Sequence, residues 1–191
     1  MNYLLGEMEK YIYEGNLPKL VKVALLHYQF ETIHPFLDGN GRIGRLFIIL
    51  YLIHEKILKN PTLYISLFLK RQKSDYYNLL NNVRNKGKYE EWIKFFLQGI
   101  IKTSNQVMKT NKKIQKIQES DKAKLKSQNE IKFLDLLFQK PFVSIKNAQN
   151  HLKISNQTAN SLIGKFVKKD ILAPKDNNCL LYTSPSPRDR G

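Results

Sequence analysis

The chain has 191 residues, 42% of them hydrophobic, and 32 lysines and arginines against 16 acidic residues, for a net charge of +16. That length accommodates one domain of good size and a smaller one, and the apolar content supports folded cores. No stretch approaches the roughly 18 apolar residues of a membrane span, the first residues lack the basic-then-apolar layout of a signal peptide, and a single cysteine excludes an intramolecular disulfide and fits a reducing, cytoplasmic setting.

Most of the first part reads helical. Leu20, Val23, Ala24, Leu26 and Phe30 recur at nearly helical period, so Leu17–Phe30 is expected to be a helix with Pro18 at its first position. A polar, glycine-containing loop follows. Ile43, Leu46, Phe47, Ile49, Leu50, Leu52 and Ile53 then predict a buried helix running to about Leu58, before the Asn60-Pro61 break. Helices are expected around Tyr64–Lys70, Ser74–Lys86 and Tyr89–Lys109, with Lys86-Gly87-Lys88 as a turn and Trp92, Phe95 and Phe96 in the core.

Up to Ile101 there are 14 basic and 9 acidic residues (net +5), and beyond it 18 and 7 (net +11). Charge therefore concentrates toward the C-terminus. Lys109–Gln128 reads as an exposed helical linker, placed over residues 111–128 between a first domain (1–110) and a second (129–178). Within the second, Glu130–Gln139, Ile145–Leu152 and Ser155–Lys169 form a three-helix pattern, the last capped by Ser155. Ile154 to Ala159 offers the tight turn and polar helix start of a helix-turn-helix, and Ile171-Leu172 would open a wing strand.

The chemistry concentrates in twelve residues, His34-Pro35-Phe36-Leu37-Asp38-Gly39-Asn40-Gly41-Arg42-Ile43-Gly44-Arg45. Backbone N–H groups at a helix start have no helical partner and suit phosphate oxygens. Gly39 and Gly41 let backbone approach a polyphosphate, and Asn40 can add a side-chain amide donor. Arg42 and Arg45, three apart, could grip terminal phosphates with planar forks. Asp38 could hold Mg2+, which uses one or two carboxylates plus phosphate oxygens. His34 is the group whose ordinary pKa suits proton transfer near neutrality, and so the candidate general base. A rival zinc reading of His27, Glu31 and His34, at i,i+4,i+7 on one helix face, is opposed by Pro35, which forces residue 34 out of helical geometry.

These twelve residues resemble the Fic signature without departure. The resemblance extends over residues 1–110 through His27–Ile33, Leu63–Ser66, Asp75–Tyr77 and Glu91–Leu97. It implies an all-α fold: a Fic-type helical bundle followed by a small winged helix-turn-helix domain. It further implies an adenylyltransferase, which moves AMP from ATP to a Ser, Thr or Tyr hydroxyl of a protein. His34 would be the base and Asp38 the magnesium ligand. Gly39, Asn40, Gly41, Arg42, Ile43, Gly44 and Arg45 would hold the nucleotide, with Tyr77 bordering its adenine or ribose and Phe36 a core anchor for the loop. Glycine at 41 favours AMP transfer, because a kinase-like branch of the family has lysine there. The protein substrate could include the chain itself. The alternative is a DNA-binding regulator, contacting DNA through residues 129–178, whose Fic fold only senses nucleotide. A homodimer is compatible with either reading.

Two expectations concern the ends. An N-terminal segment and β-hairpin flap of similar proteins are expected to be missing, as is their inhibitory helix, since Glu14-Gly15 has Lys10 at the hydroxyl position. Residues 179–191 resemble a translated sequencing adaptor or a disordered tail, which would truncate the wing near Asn178.

Overall fold

The computed structural model describes residues 2–14, 16–176 and 179–182. They fall into two compact units, Met1–Met108 and Lys109–Gly191. The first comprises α1 (Asn2–Tyr13), α2 (Lys19–Ile33), α3 (Asn40–His54), α4 (Ile65–Arg71), α5 (Lys73–Lys86) and the first part of α6 (Tyr89–Ala123). α2 is its central helix, with Val23, Ala24, Leu26, His27, Tyr28 and Phe30 all buried. Trp92 and Phe96 of α6 are fully buried, and the Trp92 indole N–H donates to the Ala24 carbonyl at 2.9 Å. A large ring thus gains burial worth about 1.5–3 kcal/mol without leaving its polar edge unpaired. Buried Lys22 donates to the carbonyls of Ile12 and Glu14, placing a cation where α1 exposes its last acceptors.

Several boundaries differ from the sequence reading. Pro18 is the N-cap of α2 rather than its first helical residue. α3 stops at His54 and not near Leu58, because Lys56 turns to φ +58° and the N–H groups of Ile57 and Leu58 fold back on the Leu52 carbonyl. α3 is also not buried all round. Ile48, Ile49, Tyr51 and Leu52 face the core, whereas Leu46 and Leu50 are each 55% exposed. The apolar run covers more of the helix circumference than its neighbours within this unit cover.

α6 does not end at Lys109. It runs on to Ala123, since no glycine or proline interrupts the chain after Gly99 and the lysines and glutamines there are good helix formers. The second unit continues with α7 (Gln128–Gln139), β1 (Phe142–Val143), α8 (Ile145–Leu152), α9 (Asn156–Lys168), β2 (Leu172–Asp176) and β3 (Cys179–Tyr182). Ser127 and Glu130 form a capping box at α7, Ser144 and Asn147 another at α8, and Ser155 caps α9. The core joins Phe133, Leu134, Leu137, Ala159, Ile163, Phe166 and Ile171, with Phe133 and Phe166 edge to face at 4.8 Å.

The strands form an antiparallel sheet of order β1-β3-β2, pairing Val143 with Leu180 and Ala173 with Leu181. Cys179–Tyr182 is the central strand, paired with both β1 and β2. The tail reading of 183–191 lies outside the described residues. The fold class is the expected all-α one, with this small sheet added.

Candidate nucleotide site

The site is built where α2 ends and α3 begins. His34 caps α2 in the left-handed conformation (φ +49°, ψ +58°), and its N–H reaches the Phe30 carbonyl at 3.0 Å. Pro35 explains the departure, because a residue before proline avoids the right-handed helical region. The result exposes the His34 side chain just beyond the end of α2. The left-handed region is sparsely used outside glycine, though histidine enters it more readily than most.

Gly39 starts α3 with φ +83°, a conformation that glycine adopts without strain. Its carbonyl receives the N–H groups of Arg42 and Ile43 at 3.0 Å. The N–H groups of Asn40 and Gly41 have no acceptor within the helix, so α3 opens with donors aimed outward. Both arginines lie over this floor. A methyl group on Gly41 would meet Arg45 Nη1 at 3.0 Å, and one on Gly39 would lie 3.7 Å from Arg42 Nη2. Any side chain at 41 would therefore push the Arg45 guanidinium aside. Arg42 pairs with Asp38 at 3.3 Å, but the Asp38 side chain is 93% exposed, so the pair is weak and easily exchanged for other ligands.

Two residues expected as ligands, Asn40 and Gly44, and the expected anchor Phe36 are placed differently. Asn40 is buried, and its side chain is spent on the loop: Oδ1 accepts from the Phe36 N–H at 2.9 Å and Nδ2 donates to the Phe36 carbonyl. It shapes the cradle instead of supplying an amide to phosphate. Gly44 is buried against α2, where a methyl group would come within 2.6 Å of Glu31 Oε1 and 3.0 Å of Phe30 Cδ1. It permits the close approach of α2 and α3 and points away from the cradle. Phe36 is not a core anchor, being 48% exposed, with its ring tilted against Phe30 at 6.4 Å between centroids. Ile43 is on the outward side of α3, and Tyr77 is half-exposed on α5, its ring beside Tyr76 at 5.0 Å and Lys73 Nζ 6.0 Å from its centroid.

Below the cradle lies a group that the sequence reading considered only as a zinc set. His27 is fully buried among Tyr76, Trp92 and Phe96. Its Nδ1 meets the Gly44 carbonyl at 3.1 Å and its Nε2 the Tyr76 hydroxyl at 3.0 Å. Both ring nitrogens are thus committed to protein groups. Burial pushes His27 down to about 4 and lifts Tyr76 far above its ordinary value. Glu31, 4.0 Å from His27 Nε2, is raised by burial, against the opposing charge of Arg45. Its i,i+4 spacing from His27 was the available signal, but partners on α3 and α5 were not readable from it. Among the described residues, no group of three or more His, Cys, Asp or Glu could hold a metal by itself.

A family model described as Fic/DOC family matches residues 1–52, the stretch containing both helices and the whole cradle. Protein adenylyltransferase Fic of Drosophila willistoni is 34% identical over 91 residues, covering 48% of this chain and 17% of that protein. Its counterpart from Drosophila erecta is 32% identical over 103 residues, covering 52% and 19%. The chain thus spans less than a fifth of the length of these curated relatives. A crystal structure of a Fic family protein from Desulfovibrio desulfuricans G20 shares the fold, with a TM-score of 0.57 over 96% of this chain and 55% of that one, at 20% identity. No helix among the described residues is long and apolar enough to cross a membrane.

Proposed function

We propose that the first unit transfers AMP from ATP to a Ser, Thr or Tyr hydroxyl of a protein, with the chain itself among the candidate targets. The observation that carries this reading is the placing of an exposed histidine directly before an open helix start overhung by two guanidinium groups. His34 would take the proton of the attacking hydroxyl as its oxygen bonds to the α-phosphorus. The bond from that phosphorus to the bridging oxygen would break, and pyrophosphate would leave. The N–H groups of Asn40 and Gly41 would face the phosphates, and Arg42 and Arg45 would balance the charge on the departing pair. Tyr77 would border the base or ribose.

Magnesium fits this arrangement as a shared ion. Asp38 is one exposed carboxylate on the loop, and magnesium commonly takes one protein carboxylate, phosphate oxygens and water. Bound with the nucleotide, it would neutralise phosphate charge. Incubation with labelled ATP and magnesium tests the activity. Label on a protein, lost in His34→Ala, is the expected result; equal labelling by both proteins, or none by either, would sink the proposal.

A second reading rests on the other unit. A three-residue turn, Lys153–Ser155, joins α8 to α9, and Asn156, Gln157, Thr158, Asn160, Lys165 and Lys168 are exposed along α9. With the sheet order above, these would serve as the parts of a winged helix-turn-helix, and the excess positive charge suits a DNA backbone. The corresponding function is a DNA-binding regulator whose Fic fold senses nucleotide. It requires duplex binding that weakens with salt and survives His34→Ala. Absence of binding at low salt would remove it.

A further inference from the structure

Glu31 Oε1 is buried without a hydrogen-bond partner, under the helix start that carries the arginines. Its side chain is 10% exposed. The groups facing it are His27 and His34 on its own side of the site, Arg45 from α3 and Tyr76 from α5. A count of hydrogens decides which form of the carboxyl fits. The Gly44 carbonyl can only accept, so His27 Nδ1 carries the ring hydrogen and Nε2 of the neutral ring is an acceptor. Nε2 takes the single hydrogen of the Tyr76 hydroxyl. Tyr76 also interacts with the Glu31 carboxyl but has no second hydrogen to give it. Neither Nε2 nor the committed Tyr76 hydroxyl offers Glu31 a hydrogen, and an acid can give one where a carboxylate cannot, so these surroundings favour the acid in the empty site.

The same carboxyl lies within electrostatic range of Arg45, which overhangs Gly41. As a carboxylate it would offset part of the charge that an anion on the cradle needs. We propose that Glu31 is a positioning residue, neutral when the site holds a polyphosphate, so that Arg45 presents its full charge to the anion. This rests on the nucleotide reading above and adds a residue outside the cradle that sets its affinity. At a pH high enough to ionise Glu31 in the empty site, polyphosphate near Arg45 compensates the guanidinium, removes what favoured the carboxylate, and draws a proton from buffer onto Glu31. The direction of the burial effect on Glu31 agrees.

The sign follows. Where Glu31 titrates, above the ordinary carboxylate range, ATP affinity should fall as pH rises. Glu31→Gln keeps the donor and cannot ionise, so it should match wild type at low pH and bind ATP about tenfold tighter at pH 8, a tenfold ratio corresponding to one unit of pKa displacement. Titration calorimetry of the full chain with magnesium ATP at pH 8, in buffers of different ionisation enthalpy, reads the proton directly. Uptake by wild type that disappears in Glu31→Gln is the expected result. Titration of ATP itself is common to both proteins and cancels in their ratio. Binding without uptake, or equal uptake by the variant, would overturn the role of Glu31 and leave AMP transfer standing. Failure to bind ATP at all would overturn both. The wild-type measurement needs no variant, so a misfolded Glu31→Gln leaves the proton count decisive.

Discussion

Asn40 and Phe36 form a closed pair in which one buried amide satisfies both backbone groups of one loop residue, four positions earlier. The loop between His34 and α3 contains no other such side-chain clamp among the described hydrogen bonds, so this pair fixes its curvature. Asn40→Ala would leave the Phe36 N–H and carbonyl without those partners in a part-buried place. A loss of about 1–3 kcal/mol is expected for such a deletion, read as a lower midpoint of denaturant unfolding. Asn40→Asp should be at least as damaging, because a carboxylate has no hydrogen for the Phe36 carbonyl.

Gly44 holds a different part of the site together. Its hydrogen lets the Glu31 carboxyl, the Phe30 ring and His27 close on α3 within distances that a methyl group cannot share. Gly44→Ala must move α2 from α3 or rotate Glu31 and Phe30. Overpacking of this kind costs about 1–3 kcal/mol. Helix propensity favours alanine by up to about 1 kcal/mol, so the net change should still be destabilising. A midpoint equal to or above wild type would show that the contact yields freely.

How much of this was legible depends on whether a signal is local. The helix start at Gly39 and the departure at His34 follow from glycine and proline, whose backbone preferences act on adjacent residues. The capping by Ser155 was visible for the same reason. The box of Ser127 and Glu130 is equally local, but it stands at the edge of a lysine-rich run whose composition reads as linker. Asn40 could not be separated from a phosphate ligand, since an exposed amide and one folded back on Phe36 have the same sequence. Gly44 was drawn into the cradle by its neighbours Arg42 and Arg45, although the helix turn puts it on the opposite side, against α2. The exposure of Leu46 and Leu50 was also hidden, because an apolar run does not say how much of it a unit covers. β3 was missed because its meaning lies in pairing with Phe142-Val143, almost forty residues earlier.

His27 makes unfolding depend on pH. Buried and neutral, it resists protonation until about 4, whereas in the unfolded chain it accepts a proton near 6.5. The unfolded state therefore binds more protons between those values, and stability falls as pH is lowered through that window. The full displacement corresponds to roughly 3 kcal/mol. Glu31 works with the opposite sign, since a raised folded pKa gives stability below the ordinary carboxylate range that is lost as pH rises. Replacing His27 by Asn, which does not titrate, should flatten the loss between pH 6.5 and 4 once its own packing cost is subtracted. An unchanged slope would show that the proton is bound elsewhere.

The second unit carries its own acid sensitivity at Glu130. This carboxylate accepts from the N–H groups of Lys126 at 2.8 Å and Ser127 at 3.4 Å, and Lys165 and Lys169 of the α9 region approach it at 3.7 and 3.8 Å. The backbone donor at Lys126 leads in holding it below the ordinary carboxylate value, with Ser127 and the lysines adding to that. A depressed folded pKa gives stability above the unfolded value, lost as pH falls through the folded one. Glu130→Gln keeps an acceptor but not the charge, and Glu130→Ala removes both. Losses should therefore grow from Gln to Ala, reaching about 0.5–2 kcal/mol as for other helix caps. The full chain followed by hydrogen exchange should show the loss in α7 and α9 and leave α2 and α3 protected. Equal loosening of α2 would mean that the two cores do not open independently.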